Sequence, residues 1–190
     1  SSDRFGWAVS LTADRALVGA YWDDAPGSNS GSAYVFVRSG TTWTQEDKIT
    51  AADAAANDNF GYSVSLTADR ALIGTLGDDD RGLNSGSAYV FLRSGSTWAQ
   101  EAKLLAADGF DQDNFGRAVS LTSDRALIGS PADDDSGSSS GSVYIFLRSG
   151  TAWAQETKII ASGGKSSDRF GDAVALAADR ALVGAFQDNP

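Results

Sequence analysis

Residues 60–114, FGYSVSLTADRALIGTLGDDDRGLNSGSAYVFLRSGSTWAQEAKLLAADGFDQDN, decide the fold, because they are one full copy of a unit that the chain repeats. The opening FGYSVSLT alternates small or polar with apolar residues, the period of two that marks a strand. Thr67 to Arg70 read as a tight turn. Ala71 to Thr75 form a nearly continuous apolar run, as in a strand buried on both faces. Gly77 to Gly86 are a loop by composition. Ser87 to Ser94 are rich in aromatic and β-branched residues and give a third strand. Trp98 to Ala107 alternate again, which predicts a fourth strand with Trp98, Gln100, Ala102 and Leu104 on one face. The counterpart WTQEDKIT, with its β-branched residues, argues against a helix there.

Phe-Gly recurs at Phe5-Gly6, Phe60-Gly61, Phe115-Gly116 and Phe170-Gly171, each pair 55 residues after the last. A fixed period of this size is the signature of stacked supersecondary units. Four strands per unit predict an all-β chain, a β-propeller of four-stranded antiparallel blades. The blades run 5–59, 60–114 and 115–169, with a partial blade over 170–190, about three and a half blades and fourteen strands in a single repeat domain. The recurring aromatics Tyr34, Tyr89 and Tyr144, Phe36, Phe91 and Phe146, and Trp43, Trp98 and Trp153 are expected to fill the space between blades. Gly19, Gly74, Gly129 and Gly184 end the second strands, where the backbone needs room.

A ring of three and a half blades stays open. It would expose apolar surface and an unpaired strand edge. A longer parent propeller, a ring closed by another copy, and an open fibre are the three explanations, and the first two are preferred. The absence of an initiator Met fits an excised or processed chain.

The net charge of −10 disfavours nucleic acid and anionic membrane as partners. No membrane-inserting run is visible. Without His or Cys, the common Ser-His and Cys-His catalytic arrangements, disulfides and thiolate metal sites are excluded. Carboxylate pairs recur in every blade, whereas an active site breaks the symmetry of its scaffold, so no enzyme is expected.

The pattern FG-x-x-V-x-L, A-L-[VI]-G-A, G-S-[AV]-Y-[VI]-F resembles the FG-GAP repeat. Here it reads Phe5-Gly6, Val9, Leu11, then Ala16 to Ala20, then Gly31 to Phe36. It recurs from Phe60-Gly61 and Phe115-Gly116, over the whole chain. The resemblance is to bacterial secreted repeat proteins and, more distantly, to the integrin α-chain head. It implies a propeller that is secreted or at the cell surface, works in adhesion or binding, and takes calcium as a candidate ion. Integrin-type repeats often carry a D-x-[DN]-x-D-G loop between strands 1 and 2. The segments here, Thr12 to Arg15, Thr67 to Arg70, Thr122 to Arg125 and Ala177 to Arg180, hold one Asp each. A calcium cage needs six or more oxygens, so Asp14, Asp69, Asp124 and Asp179 read as turn residues.

Acidic residues instead collect on the face bearing the strand 2–3 loops and the blade-to-blade connectors. Asp23 and Asp24, Asp78 to Asp80 and Asp133 to Asp135 follow strand 2. Asp3, Asp58, Asp113 and Asp168 stand two residues before each Phe-Gly. Antiparallel pairing of strands 1 and 2 brings Asp58 near Asp78, Asp113 near Asp133 and Asp168 near Asp188. Two readings stay open for Asp3, Asp23, Asp58, Asp78, Asp113, Asp133, Asp168 and Asp188: caps on loop amides, or ligands to a hard cation such as calcium. The copies also differ on this face. Trp7, Tyr62, Arg117 and Asp172 share one position of strand 1. Trp7, Trp22, Tyr62, Phe110 and Arg117 are the candidate ligand contacts. A binding or adhesion scaffold for protein or glycan leads. A self-assembling structural module and a lectin-like carbohydrate binder are the alternatives.

Overall fold

The computed structural model describes residues 2–188, and every regular element among them is a strand. Ser1, Asn189 and Pro190, the last two the end of the expected partial blade, lie outside the described residues. β1 (Val9–Leu11), β2 (Arg15–Ala20), β3 (Ser32–Ser39) and β4 (Thr42–Ile49) pair in sequence order as an antiparallel sheet. β5 (Phe60–Leu66), β6 (Arg70–Thr75), β7 (Ser87–Ser94) and β8 (Thr97–Leu104) repeat it. So do β9 (Ala118–Leu121), β10 (Arg125–Ser130), β11 (Ser142–Ser149) and β12 (Ala152–Ile160). β13 (Phe170–Ala177) and β14 (Arg180–Ala185) make a two-stranded sheet. These are the fourteen strands and the blade order that the repeat predicts. Among the described residues no helix is long and apolar enough to cross a membrane.

The core lies between sheets. Leu17, Val35 and Ile49 of the first blade pack on Phe60, Ile73, Tyr89, Phe91 and Trp98 of the second. Leu72, Val90 and Leu104 of the second pack on Phe115, Ile128, Tyr144 and Phe146 of the third, with Trp153 against them. A middle blade therefore buries both faces, which is why β6 is buried at all six positions. Between full blades the Phe of Phe-Gly, Phe60 or Phe115, is the plug: the Phe60 ring meets Tyr89 and Phe91 edge-on, at centroid distances of 5.6 and 5.9 Å.

Strand 4 differs from its sequence reading. Val90 pairs with Ala102 and Phe91 with Gln100, which leaves Glu101 as the extra residue of a β-bulge. One extra residue flips the alternation of side chains. Trp98 and Gln100 lie opposite Arg93 and Phe91 and face the first blade. Ala102 and Leu104 lie opposite Val90 and Ala88 and face the third. The four residues do not share one face. Glu46 and Glu156 are the bulge residues of the other two full blades.

The bulge has a use. Glu101 accepts from Arg70 Nε at 2.9 Å and from the indole Nε1 of Trp153, in the next blade, at 3.0 Å. Glu46 does the same with Arg15 at 3.0 Å and Trp98 at 3.1 Å. Glu101 and Glu46 thus tie strand 2 of their own blade to strand 4 of the next. Among the described residues Glu156 meets Arg125 alone, at 3.6 Å.

Backbones touch at the glycines. A Cβ on Gly19, Gly74 or Gly129 would lie 2.0 Å from the carbonyl oxygen of Gly61, Gly116 or Gly171, the glycine of the next Phe-Gly. Gly184 departs from the expected pattern: its nearest neighbour would be Ala173 Cβ at 3.5 Å, an ordinary contact. The end faces also depart from it. Trp43 packs on no blade among the described residues and is 41% exposed, against 5% for Trp98. Phe5, Val9 and Leu11 at one end, and Leu182 at the other, are exposed with it.

Candidate functional site on the loop face

The inner strands are pinned in register. Ser10, Ser65 and Ser120 Oγ accept from the amides of Leu66, Leu121 and Leu176 at 2.9–3.0 Å, each 56 residues on. Residues at one repeat position therefore stand side by side across blades. One position that holds a different residue in every copy becomes a continuous row. The Trp7 and Tyr62 rings are 5.6 Å apart. The Arg117 guanidinium lies 5.0 Å from the Tyr62 centroid and donates to its hydroxyl. Arg117 Nε reaches Asp172 Oδ1 at 3.2 Å. Tyr21 fills behind the row, 5.0 Å from Trp7 and 5.2 Å from Tyr62, and touches Trp22 at 5.3 Å. Trp22 carries the Arg4 guanidinium 4.3 Å above its ring.

Four of the five expected contacts, Trp7, Trp22, Tyr62 and Arg117, are thus brought together. Phe110 stands apart on the β8–β9 connector, 71% exposed. Tyr21 and Arg4 were not expected. Their signal was present: both occupy the segments, just after strand 2 and just before Phe-Gly, that flank Trp7 and Trp22.

The carboxylates fall into two sets. Asp58, Asp113 and Asp168 are buried, and each accepts from the amide three residues earlier, Ala55, Phe110 or Lys165, at 2.6–2.7 Å. Their carbonyls accept from Gly77, Ala132 and Gln187, which sets them beside the ends of strand 2 as antiparallel pairing requires. Burial pushes Asp58 and Asp113 up to about 6 against the opposing pull of those amides, and the charges of Asp78 and Asp133 add to the rise. Asp3 and Asp188, at the two ends, are exposed.

The second set surrounds a lysine. Lys103 Nζ lies 2.8 Å from Asp53 Oδ2, 2.8 Å from Asp78 Oδ2 and 2.7 Å from Asp80 Oδ2. Lys158 repeats this with Asp108, Asp133 and Asp135 at 2.8, 2.9 and 2.7 Å. Tyr89 and Tyr144 cap the clusters, with each hydroxyl in reach of two of the carboxylates. In the first blade Lys48 meets Asp23 alone, at 2.9 Å. Burial pulls Asp23 upward, but hydrogen bonds from Lys48, Tyr34, Ser32 and the Ala25 amide outweigh it and hold the carboxyl at about 2. Asp53, Asp108 and the lysines were missed at the sequence level. The lysine recurs every 55 residues on strand 4, a signal hidden by its exposed appearance there.

Repeated four-stranded blades with a recurring packing unit and a loop face that differs between copies define a β-propeller repeat protein. The chain belongs to the FG-GAP repeat family, whose model matches residues 1–36, 43–91, 98–146 and 153–190. No curated protein matches it.

Proposed function

We propose that this chain is a non-enzymatic binding module, displayed outside the cell, that holds a protein or glycan ligand on its loop face. The observation that carries the reading is the row Trp7–Tyr62–Arg117–Asp172: one repeat position, four different side chains, mounted contiguously on an otherwise repeating frame. Stacking rings beside a guanidinium and a carboxylate are the mixed surface that specific recognition uses. Calcium is not required by this reading, since the carboxylates first considered for it at Asp23, Asp78 and Asp133 are engaged by lysines. Membership of the FG-GAP repeat family supports a binding scaffold.

The test is a screen of the purified chain against arrayed glycans and surface proteins, repeated with Trp7→Ala and Arg117→Ala. Loss of every hit in both variants, with unchanged melting temperatures, is expected. Hits that survive both substitutions would place recognition elsewhere. The exposed end faces at Phe5, Val9 and Leu182 favour a second reading, assembly between chains. Sedimentation over a hundredfold concentration range separates it: a constant mass rules assembly out.

A further inference from the structure

We propose that the ammonium groups of Lys103 and Lys158 are the resident cations of this face, standing where a divalent ion would otherwise be needed to hold the acidic loops together. The inference is independent of what the face binds.

The stoichiometry of donors supports it. An ammonium has three N–H donors and no acceptor. Each of these lysines meets three carboxylates, one per donor, at hydrogen-bonding distance. The three come from two segments: the incoming connector (Asp53 or Asp108) and the loop that follows strand 2 (Asp78 and Asp80, or Asp133 and Asp135). The lysine itself comes from strand 4. One cation thus joins two loop segments to the outer strand, the task that a loop-bound metal performs elsewhere in proteins. The tyrosine ring at 5.3 Å from Lys103 and 5.2 Å from Lys158 adds a cation–π contact on the remaining side. The central carboxylates, Asp78 and Asp133, are buried, so removing the cation would leave an uncompensated buried charge.

The chain contains an internal comparison. Where three acidic positions are present, the lysine is surrounded. In the first blade Ala25 stands at the position of Asp80 and Asp135, and among the described residues Lys48 pairs with Asp23.

The prediction is a protein indifferent to calcium that becomes calcium-dependent when the lysine is cut back. Lys103→Ala leaves the carboxylate oxygens of Asp53, Asp78 and Asp80 within 4.8 Å of one another and vacates the space between them. Melting temperatures of the wild-type chain and of Lys103→Ala are measured in chelator and across a calcium titration, with potassium at matched ionic strength as control. Wild type is expected to hold steady. The variant is expected to melt lower in chelator and to recover about 5–10 °C as calcium reaches about a hundredfold its dissociation constant. A saturable calcium shift in wild type overturns the proposal, and so does a variant that melts lower and ignores the ion. If Lys103→Ala does not fold in chelator, its refolding yield on adding calcium decides instead: recovery supports the assignment, and failure to recover overturns it.

Discussion

Gly74→Ala and Gly184→Ala place the same substitution at the same repeat position, yet they should move stability in opposite directions. At Gly74 the new Cβ would stand 2.0 Å from Gly116 O, 2.9 Å from its carbonyl carbon and 2.2 Å from Ser63 Oγ. The serine side chain can rotate, but the carbonyl belongs to the backbone of the next blade. It also accepts the Ser63 hydroxyl at 2.7 Å, and the Gly116 amide donates to Gly129 O at 3.0 Å. Relief therefore needs the two blades to part. Overpacking of this kind costs about 1–3 kcal/mol, and a lost hydrogen bond adds about 1 kcal/mol. For a chain of this length about 3 kcal/mol lowers the melting temperature by about 6–12 °C. At Gly184 the Cβ meets only Ala173 Cβ at 3.5 Å, with no left-handed backbone to strain. Alanine there trims the freedom of the unfolded chain and gains about 0.5 kcal/mol, a rise of about 1–2 °C. Thermal melts followed by far-ultraviolet circular dichroism, with urea titrations to check that the slope is unchanged, measure both. Equal shifts for the two variants, or a Gly74→Ala that melts with wild type, would refute backbone-to-backbone contact as the reason for the glycine.

Glu101→Ala removes a buried carboxylate held by Arg70 and leaves that buried guanidinium with the exposed Asp69 as its carboxylate partner. It should cost about 3–5 kcal/mol in urea titration, whereas Glu156→Ala, whose pair is long and 41% exposed, should cost under about 1 kcal/mol. Asp58 and Asp113 titrate near 3.8 when unfolded and about 6 when folded, so between those values the folded state holds protons that the unfolded chain has released. Stability from this source falls as pH rises from about 4 to 6, and the melting temperature of Asp58→Asn/Asp113→Asn should fall less steeply than wild type across that window. Asp23 acts in the opposite sense. Its contribution is present above about 3.8 and is lost as pH falls toward 2, so Asp23→Asn should blunt the acid limb of the same profile. Trp98→Ala should cost about 3–5 kcal/mol and Trp43→Ala far less in the same titration, because only Trp98 is enclosed by a neighbouring blade.

The fold was legible because each blade is the same local solution written three times. Alternation marked the strands, loop composition marked their ends, and Phe-Gly fixed the register of the repeat. The strand 4 faces were not legible, since a bulge adds a residue without altering composition. WAQEAKL alternates on paper from end to end, and only pairing with Tyr89 to Arg93 reveals that Glu101 is supernumerary. The site was half legible. Four residues of the stripe were found by asking where the copies disagree, which works because inner strands in register bring equal positions together. The lysine clusters escaped that search, since the lysine and its central carboxylate, Asp23, Asp78 or Asp133, are the same in every full copy. Lys103 looked like an exposed charge on an outer strand, and its partners come from segments 50 and 23–25 residues away.

The two kinds of position also divide the labour of the molecule. Blade contacts are made by glycine against glycine, serine hydroxyl against the next strand's amide, and bulge glutamate against the next blade's indole. Each of these joins one repeat only to its neighbour. Stability in such an array is a sum over nearest-neighbour interfaces. Among the described residues no indole meets Glu156, which sits 3.6 Å from Arg125 and 41% exposed, while Glu101, with Trp153 in place, sits 2.9 Å from Arg70 and 4% exposed. The ion pair that also holds an indole of the next blade is the tighter one. Because these contacts use the frame and none of them uses the row at the entrance to the inner strands, Trp7, Tyr62 and Arg117 can differ from copy to copy without disturbing the interfaces beneath them. That separation lets one repeat unit serve as both the wall and the variable surface of a recognition face.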